Sequence, residues 1–286
     1  MALVNLETIL SNAFKNKYAV GSFNVVNDMF LEAILGAAEE SNSPVIISIG
    51  EAHLPFLKME NICPLILKLA EKSNVPVCLN FDHGMTFENI RRAIDNGFTS
   101  IMFDGSKFEL EENIDKTNQV VDLCRPLNIS VEAELGAVGG DEGGKIFGEP
   151  DPDKYTDLQQ AKHFVEATGV NALAIAIGNS HGKYKGEPDL DFDRLDQINQ
   201  ALKIPLVLHG GSGISETDFR KTIQLGIAKI NYYTGMSEVA LKTVRGFMQD
   251  ELERYNDFLL MLQEVTLNVK EDVKHQMDVF GSPNQS

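Results

Sequence analysis

The sequence predicts an α/β fold, the (β/α)₈ or TIM barrel with extra C-terminal helices, on three observations. The 286 residues suit one such barrel of roughly 250 residues. Short apolar, β-rich runs recur along the chain, separated by amphipathic stretches of crossover length. No G-x-G-x-x-G turn follows the first run, which weighs against the alternative, a doubly wound dinucleotide-binding sheet. We therefore expect a single barrel domain over residues 1–286.

The predicted elements alternate in chain order, which is the sequence form of repeated βα units with a parallel sheet. Eight strands are predicted at residues 19–24, 45–50, 77–82, 100–104, 130–135, 172–178, 206–209 and 228–231. Helical patterns between them include residues 29–40, 61–73, 87–96, 111–124, 158–168 and 216–225.

After Gly235 the pattern predicts two further helices, 236–255 and 259–280, beyond what eight units require. The second carries an apolar stripe that must be buried by something. Its members are Leu262, Val265, Val269 and Val273. We expect this stripe to form a subunit interface in a homo-oligomer, and packing on the parent barrel is the alternative.

Composition restricts the partners. With 42 acidic and 25 basic residues the net charge is −17, so the surface repels nucleic acid and anionic lipid, and any bound phosphate needs a local site. No apolar run approaches the ~18 residues of a membrane span. Cys63, Cys78 and Cys124 show no CxxC spacing, which indicates reduced, buried and inert thiols. We expect a cytoplasmic protein with no nucleic-acid or membrane partner.

Three histidines occupy the predicted carboxyl ends of strands, where barrel enzymes carry their chemistry. His83, His181 and His209 lie at or just past a strand end, and each is followed by glycine. Three imidazoles without a nearby cysteine match a catalytic zinc site with one position open for substrate. The alternative is that each is a hydrogen-bonded structural residue. The other three are expected to be solvated: His53, His163 and His275.

Carboxylates accompany these histidines. Asp82 precedes His83, and Asp104 and Glu134 end the next two predicted strands. A carboxyl group beside a metal can move a proton to or from substrate. Asp104 and Glu134 are also candidates to hold a second metal, as a zinc hydrolase or phosphoesterase would require.

A deeper pair is predicted from strand periodicity. Glu132 shares the inward face of its strand with Glu134, and Lys229 shares that of Asn231. Because a buried carboxylate needs a cation, we expect an ion pair between Glu132 and Lys229. The alternative is a Schiff-base lysine, which needs an amine without a carboxylate partner.

Two glycine-rich features remain. Residues 136–148, GAVGGDEGGKIFG, predict a loop that closes over the site, in which Asp141 and Glu142 are either delivered to the metal or merely solvated. Glycines and small polar residues before helix starts predict a phosphate site at the last strands. The candidate substrate-binding residues are Asn24, Gly182, Gly210, Gly211, Ser212, Asn231, Tyr232, Tyr233 and Thr234.

Seven ordered motifs carry a family resemblance over nearly the whole chain. They are FDHG at 81–84, DGS at 104–106, VEAELG at 131–136, VGGDEGG at 138–144, SHGKYKGEPDL at 180–190, LVLHGGSGI at 206–214 and KIN at 229–231. Together they resemble the class II, zinc-dependent fructose-bisphosphate and tagatose-bisphosphate aldolases.

The resemblance implies a lyase of carbohydrate metabolism and glycolysis. It implies that His83, His181 and His209 bind one Zn²⁺ per chain and that Asp82 exchanges a proton with the aldol hydroxyl. Glu142 would take the proton from dihydroxyacetone phosphate, whose phosphate the glycine-rich stretches hold beside a monovalent cation, Na⁺ or K⁺. The implied substrate is a ketose 1,6-bisphosphate of the fructose or tagatose type, and the implied assembly is a homodimer or homotetramer.

Three positions depart from the family pattern. Gly50 stands where many members carry a serine that touches phosphate, Tyr233 replaces an aspartate, and Lys274 falls where a C-terminal arginine reaches the distal phosphate. The identity of the ketose, and whether the aldehyde product is phosphorylated, therefore stay open. The competing functions are the zinc hydrolase and a non-catalytic protein that binds sugar phosphates.

Overall fold

The computed structural model describes residues 2–139, 151–182, 184, 186–249 and 257–286. Eight parallel strands close into a barrel in chain order, which confirms the predicted fold class. The barrel closes where the first strand pairs with the eighth, in the register Val20 to Lys229. The strands are β1 (Val20–Asn24), β2 (Val45–Gly50), β3 (Val77–Gly84), β4 (Ser100–Phe103), β5 (Ser130–Leu135), β6 (Ala172–Ile175), β7 (Leu206–Leu208) and β8 (Ile227–Tyr232).

A helix follows each strand and covers the outside of the barrel. These helices are α2 (Asp28–Glu40), α3 (Met59–Ala70), α4 (Phe87–Asp95), α5 (Leu110–Cys124), α6 (Leu158–Thr168), α7 (Phe192–Leu202), α8 (Glu216–Gln224) and α9 (Thr234–Gln249). Most begin at a side chain that accepts a hydrogen bond from a free backbone N–H of the first turn, as Asn27 does for α2 and Ser215 for α8. Asn and Ser are both residue types that favour the N-cap position.

An additional helix, α1 (Leu6–Asn16), precedes β1 and was not among the predicted elements. Its buried face, formed by Leu6, Ile9, Leu10 and Ala13, packs in one apolar cluster with inward side chains near the amino ends of the strands. Since a barrel interior must be filled, α1 closes the end opposite the expected chemistry.

The C-terminal region differs from the prediction. Helix α9 follows β8 and is the helix of the eighth unit, so within the described residues at this end α10 (Phe258–Phe280) alone is extra. Val265, Val269 and Val273 are buried within the chain, on the helix that packs against α2 and α9. The expected subunit interface along this stripe is therefore wrong: the stripe packs on the parent barrel. Apolar spacing marks a face that needs cover, but it does not say which surface covers it.

Strand β6 ends three residues before its predicted limit because the side chain of Asn179 hydrogen-bonds to backbone groups that would otherwise pair between strands. Its Oδ1 accepts from the backbone N–H of Ile177 at 2.8 Å, and its Nδ2 donates to the carbonyl of His209 at 3.0 Å. The chain therefore leaves the sheet early and still stays joined to the end of β7, which positions the loop that carries His181.

The barrel interior becomes polar toward the carboxyl ends. Ser22 and Ser48 hydrogen-bond at 2.7 Å, and Asn80 donates to Ser48 at 3.2 Å. The three cysteines are free and buried, as predicted, and burial raises each thiol pKa to about 12. No helix in the described part of the chain is long and apolar enough to cross a membrane.

Candidate metal and substrate site

The carboxyl ends of three strands bring the three predicted ligands together. His83 is the penultimate residue of β3, His209 directly follows β7, and His181 is in the loop after β6. One ring nitrogen of each lies within 4.8 Å of those of the other two. His209 is fully buried and His83 is 6% exposed, so water does not compete freely for these nitrogens.

The carboxylates around the rings fix which nitrogens carry protons. His83 Nδ1 is 2.9 Å from Asp104 Oδ2, and His209 Nε2 is 3.0 Å from Glu132 Oε1. An ionised carboxylate only accepts hydrogen bonds, so both of these nitrogens donate. The remaining nitrogens, His83 Nε2 and His209 Nδ1, lie 2.8 Å from each other. Imidazoles that converge and are oriented by carboxylates fit a metal site.

Local backbone geometry aims His83 into this cluster. Its φ of 46° lies in the left-handed region, which is uncommon for a residue with a side chain. A Cβ at the next residue, Gly84, would lie 2.9 Å from the carbonyl oxygen of Met102. Glycine therefore lets β3 approach β4 closely while the imidazole turns inward.

Glu51, which sequence reasoning missed, holds the turn that follows His83. Its carboxylate accepts hydrogen bonds from the backbone N–H groups of Met85 and Thr86 at 2.6 and 3.2 Å. It also accepts from Thr86 Oγ1 at 2.9 Å and Asn89 Nδ2 at 2.8 Å. Four donors on one carboxylate tie the loop after β2 to the start of α4. No local sequence signal marks this contact, because its donors lie 34 to 38 residues away.

The predicted ion pair below the histidines is confirmed. Lys229 Nζ lies 2.7 Å from Glu132 Oε2, and both side chains are fully buried. Burial alone would raise the pKa of Glu132, but the charge of Lys229 and the hydrogen bond from His209 lower it to about 2. Because the lysine amine is engaged by a carboxylate, the geometry speaks against the Schiff-base alternative.

Asp104 and Glu134 form a second group of candidate ligands together with His83. Asp104 Oδ1 accepts a hydrogen bond from Ser106 Oγ at 2.6 Å. Burial opposes the ionisation of Asp104, but the hydrogen bond and charge of His83 hold the pKa of Asp104 below the usual range. Burial and the nearby Asp104 charge raise the pKa of Glu134 to about 8. The same surroundings therefore shift the two carboxyl pKa values in opposite directions.

Asp82 is fully buried and is held on both oxygens by amides. Asn24 Nδ2 donates to Oδ2 at 3.1 Å, and Asn231 Nδ2 donates to Oδ1 at 2.9 Å. The two asparagines, predicted as substrate ligands, thus also orient the predicted acid. Asn24 ends β1 and Asn231 lies on β8, and neither strand pairs with β3, so the three side chains meet only in the closed barrel.

A cavity of about 360 Å³, its open mouth included, lies beside these groups. All nine predicted substrate-binding residues line it, together with His181 and His53. Gly210 has a φ of 67°, and a Cβ there would overlap the carbonyl oxygen of Ser180, so the loop requires glycine. Ser212 Oγ accepts from the N–H of Gly235 at 3.0 Å, which joins the glycine-rich loop to the start of α9, where a helix dipole favours an anion.

His53 contradicts its prediction as a solvated residue. It is 9% exposed, and its ring centroid lies 4.7 Å from that of Tyr233. A signal was available, because His53 stands three residues past its predicted strand, as His181 does past its own. The side chains of the other two histidines, His163 and His275, are 54% and 56% exposed, as predicted.

Three other predicted positions lie away from this cavity or outside the described residues. Lys274 Nζ is 3.0 Å from Glu40 Oε2, and α2 ends at Glu40, just before β2 begins. Lys274 is therefore at the amino end of this chain's barrel, so the expected placement at the distal phosphate is wrong within this chain. Asp141 and Glu142 lie outside the described residues.

The chain resembles known proteins over its whole length. The sequence profile of class-II fructose-bisphosphate aldolase matches residues 4–285. The 6-phospho-5-dehydro-2-deoxy-D-gluconate aldolase of Halalkalibacterium halodurans is 42% identical over 289 positions, covering 100% of this chain and 99% of that protein. The fructose-bisphosphate aldolase of Staphylococcus aureus is 39% identical, with 100% of both chains covered. The crystal structure of the YdjI aldolase from Escherichia coli K12 superposes with a TM-score of 0.88 at 39% identity, covering 99% of this chain and 98% of that one.

Proposed function

Because this chain belongs to the class II fructose-bisphosphate aldolase family, we propose that it reversibly cleaves a phosphorylated ketose to dihydroxyacetone phosphate and an aldehyde with one Zn²⁺ per chain. His83, His181 and His209 would hold the ion. The observation that carries this proposal is the convergence of these three imidazoles, whose ring nitrogens lie within 4.8 Å of one another. When bound, zinc would supply Lewis-acid stabilisation of negative charge on the substrate. As an aldolase, the protein is a lyase, which sets aside the hydrolase and non-catalytic alternatives.

We assign the proton at the aldol hydroxyl to Asp82. In the cleavage direction its carboxylate takes the hydroxyl proton, and in synthesis the carboxylic acid returns it. Asn24 and Asn231 each donate to one oxygen of Asp82, so the carboxyl group has one fixed orientation. Glu142, by resemblance, moves the proton on the carbon of dihydroxyacetone phosphate.

The phosphate of dihydroxyacetone phosphate is assigned to the glycine-rich side of the cavity. Gly182, Gly210 to Ser212 and Asn231 to Thr234 lie on its wall, and α9 begins at Thr234. Backbone N–H groups and the positive end of a helix dipole bind phosphate without a basic side chain. A monovalent cation, Na⁺ or K⁺, beside this phosphate is part of the same proposal.

For the rest of the substrate there are two candidates. The first is a ketose 1,6-bisphosphate of the fructose or tagatose type, as the family name suggests. The second is a ketose phosphate whose aldehyde half bears no phosphate, and one observation favours it: among the described residues lining the cavity there is no lysine or arginine. The Halalkalibacterium relative is named for a gluconate derivative with one phosphate, which supports the second candidate.

Self-association and location are further parts of the proposal. Apolar side chains on α9 and α10 remain exposed in this chain, among them Met248, Phe258 and Leu259, which supports a homodimer or homotetramer. Light scattering after gel filtration measures the oligomeric state directly.

The proposed location is the cytoplasm. Three free, buried thiols are consistent with its reducing conditions.

The test is metal content followed by retro-aldol turnover. We expect about one zinc per chain and release of dihydroxyacetone phosphate from at least one member of a panel of ketose phosphates and bisphosphates. Removal of the metal by a chelator should abolish this release, and added zinc should restore it. Release that survives complete metal removal would refute the proposal.

A further inference from the structure

We propose that His53 recognises the aldehyde half of the substrate through a hydrogen bond between its Nδ1 and a hydroxyl or carboxylate oxygen. This inference rests on the proposed aldolase function, because it divides the substrate into a phosphate half and an aldehyde half. It assigns a specificity-determining role to a residue that the family motifs do not include and that the sequence analysis expected to be solvated.

The first support is an unsatisfied buried nitrogen. His53 is 9% exposed and lines the cavity. Its Nδ1 is buried without a hydrogen-bond partner in the described part of the chain. Leaving such a nitrogen unpaired costs free energy, so folded proteins rarely do so without a reason. A substrate oxygen entering the cavity would provide the missing partner.

The second support is that the ring is held in place although its Nδ1 makes no hydrogen bond to the described residues. His53 ends the short 3₁₀ helix Glu51–His53, and its carbonyl accepts from the backbone N–H groups of Phe56 and Leu57 at 2.9 and 3.0 Å. Its ring packs against Tyr233, and the carboxylate of Glu51 anchors the same segment to α4. A binding group held this way loses little conformational entropy when substrate binds.

The third support is position around the barrel. The glycine-rich phosphate elements follow β6, β7 and β8, whereas His53 follows β2, which β1 separates from β8. Asn24, at the end of β1, lies between these two sides of the cavity and binds Asp82. A substrate with its phosphate on the glycine-rich side and its reacting carbons near Asp82 therefore extends its other half toward His53.

The chemistry of this side selects the ligand class. The described wall there provides the imidazole of His53 and the phenol of Tyr233, and no lysine or arginine. Phosphate recognition normally uses several charge-assisted donors. The Nδ1 of His53 can form a hydrogen bond to one substrate oxygen but cannot supply the several donors that a phosphate needs. We therefore infer an aldehyde that bears a hydroxyl or a carboxylate and no phosphate.

The experiment uses two variants of the zinc-loaded full chain. His53→Phe keeps an aromatic ring beside Tyr233 and removes both nitrogens, whereas His53→Asn keeps an amide near the place of Nδ1. His163→Phe, at an exposed histidine, is the matched control. Each protein condenses dihydroxyacetone phosphate with four aldehydes: glyceraldehyde, a three-carbon aldehyde acid, propionaldehyde and glyceraldehyde 3-phosphate. Hydrogen exchange of dihydroxyacetone phosphate with solvent is measured in parallel.

We expect the wild type and His163→Phe to prefer an oxygen-bearing, unphosphorylated aldehyde over propionaldehyde by about 10- to 100-fold in kcat/KM, the usual consequence of one buried hydrogen bond. His53→Phe should lose this preference through a higher KM for the aldehyde, and His53→Asn should retain part of it. Whether the acid or the hydroxyl compound is preferred identifies the oxygen. Hydrogen exchange should persist in every variant, which also shows that the variants fold.

The outcomes separate the two proposals. Absence of hydrogen exchange in the zinc-loaded wild type would overturn the aldolase assignment itself. With exchange intact, an unchanged aldehyde preference in His53→Phe would overturn the role of His53 alone. Impaired hydrogen exchange in both His53 variants would place the residue at the phosphate half and overturn it as well. A wild-type preference for glyceraldehyde 3-phosphate over glyceraldehyde would overturn the ligand class.

Discussion

The two sides of the cavity are built on different principles. On the metal side, the inward-facing nitrogens of His83 and His209 are fixed by Asp104 and Glu132, and Glu132 is in turn paired with Lys229. On the side formed by the segment after β2, His53 is held by its backbone and by ring packing, and its Nδ1 has no partner among the described residues. The comparison indicates that buried charge pairs fix the groups proposed to hold the metal, whereas the segment after β2 leaves a polar nitrogen available to select the substrate.

Metal removal should have the largest effect, because it takes away the ion proposed to act as the Lewis acid. We expect chelation, or His209→Ala, to lower retro-aldol turnover by at least about 10⁴-fold, since the Lewis acid supplies several kcal/mol. Turnover and metal content measured on the same samples check this. Full activity of metal-free protein, or a borohydride-trapped imine on Lys229, would contradict it.

Asp82 and Glu142 should separate two proton transfers, each with a loss of about 10²- to 10⁴-fold. Glu142→Ala should lose exchange of the carbon-bound proton of dihydroxyacetone phosphate with solvent and keep its zinc. Asp82→Ala should keep exchange and lose carbon–carbon cleavage, and Asp82→Asn is the control that preserves packing against Asn24 and Asn231. If Glu142→Ala exchanges at the wild-type rate, the base must be sought among the buried carboxylates.

Lys229→Met tests whether the metal side depends on a buried charge pair. It leaves the carboxylate of Glu132 in the interior without its cation, which should cost about 3–5 kcal/mol of unfolding free energy. Urea denaturation of the single variant and of Lys229→Met combined with Glu132→Gln measures the cost and its partial recovery. A change below about 1 kcal/mol in the single variant would argue that water or a proton replaces the lysine.

Asp104→Asn should have a smaller effect, on metal affinity rather than on stability. Asp104 orients His83 through a 2.9 Å hydrogen bond, and loss of such an outer partner typically weakens metal binding about 10- to 100-fold. Competition with a fluorescent chelator gives the dissociation constant. Glu134→Gln is the informative comparison, because Glu134 is 3.9 Å from the same nitrogen; an equal loss there would mean that both carboxyl groups orient His83.

Lys274→Ala should have the smallest effect. Its half-exposed ion pair with Glu40 is of the kind that contributes about 0–1 kcal/mol, and it lies at the end of the barrel away from the cavity. We expect unchanged kinetics for every aldehyde. A selective rise in KM for a phosphorylated aldehyde would instead indicate that Lys274 acts in the cavity of a neighbouring copy.

Much of the metal side was predictable, because its information is local. The spacing of histidines and carboxylates relative to apolar runs predicted which residues converge, and period-two alternation alone predicted the Glu132 to Lys229 pair, since both residues must face inward. All nine residues expected to bind substrate line the cavity. Their individual roles stay predictions.

Other features depended on partners that no local pattern encodes. The burial of His53 follows from its contact with Tyr233, 180 positions later. The hold of Asn24 and Asn231 on Asp82 spans 58 and 149 positions. The apolar stripe of α10 satisfied the sequence rule for a buried face, yet its partners proved to be α2 and α9 of the same chain. Periodicity determines which face of an element must be covered, and only the closed barrel determines what covers it, because burial and hydrogen bonding are properties of neighbours in space.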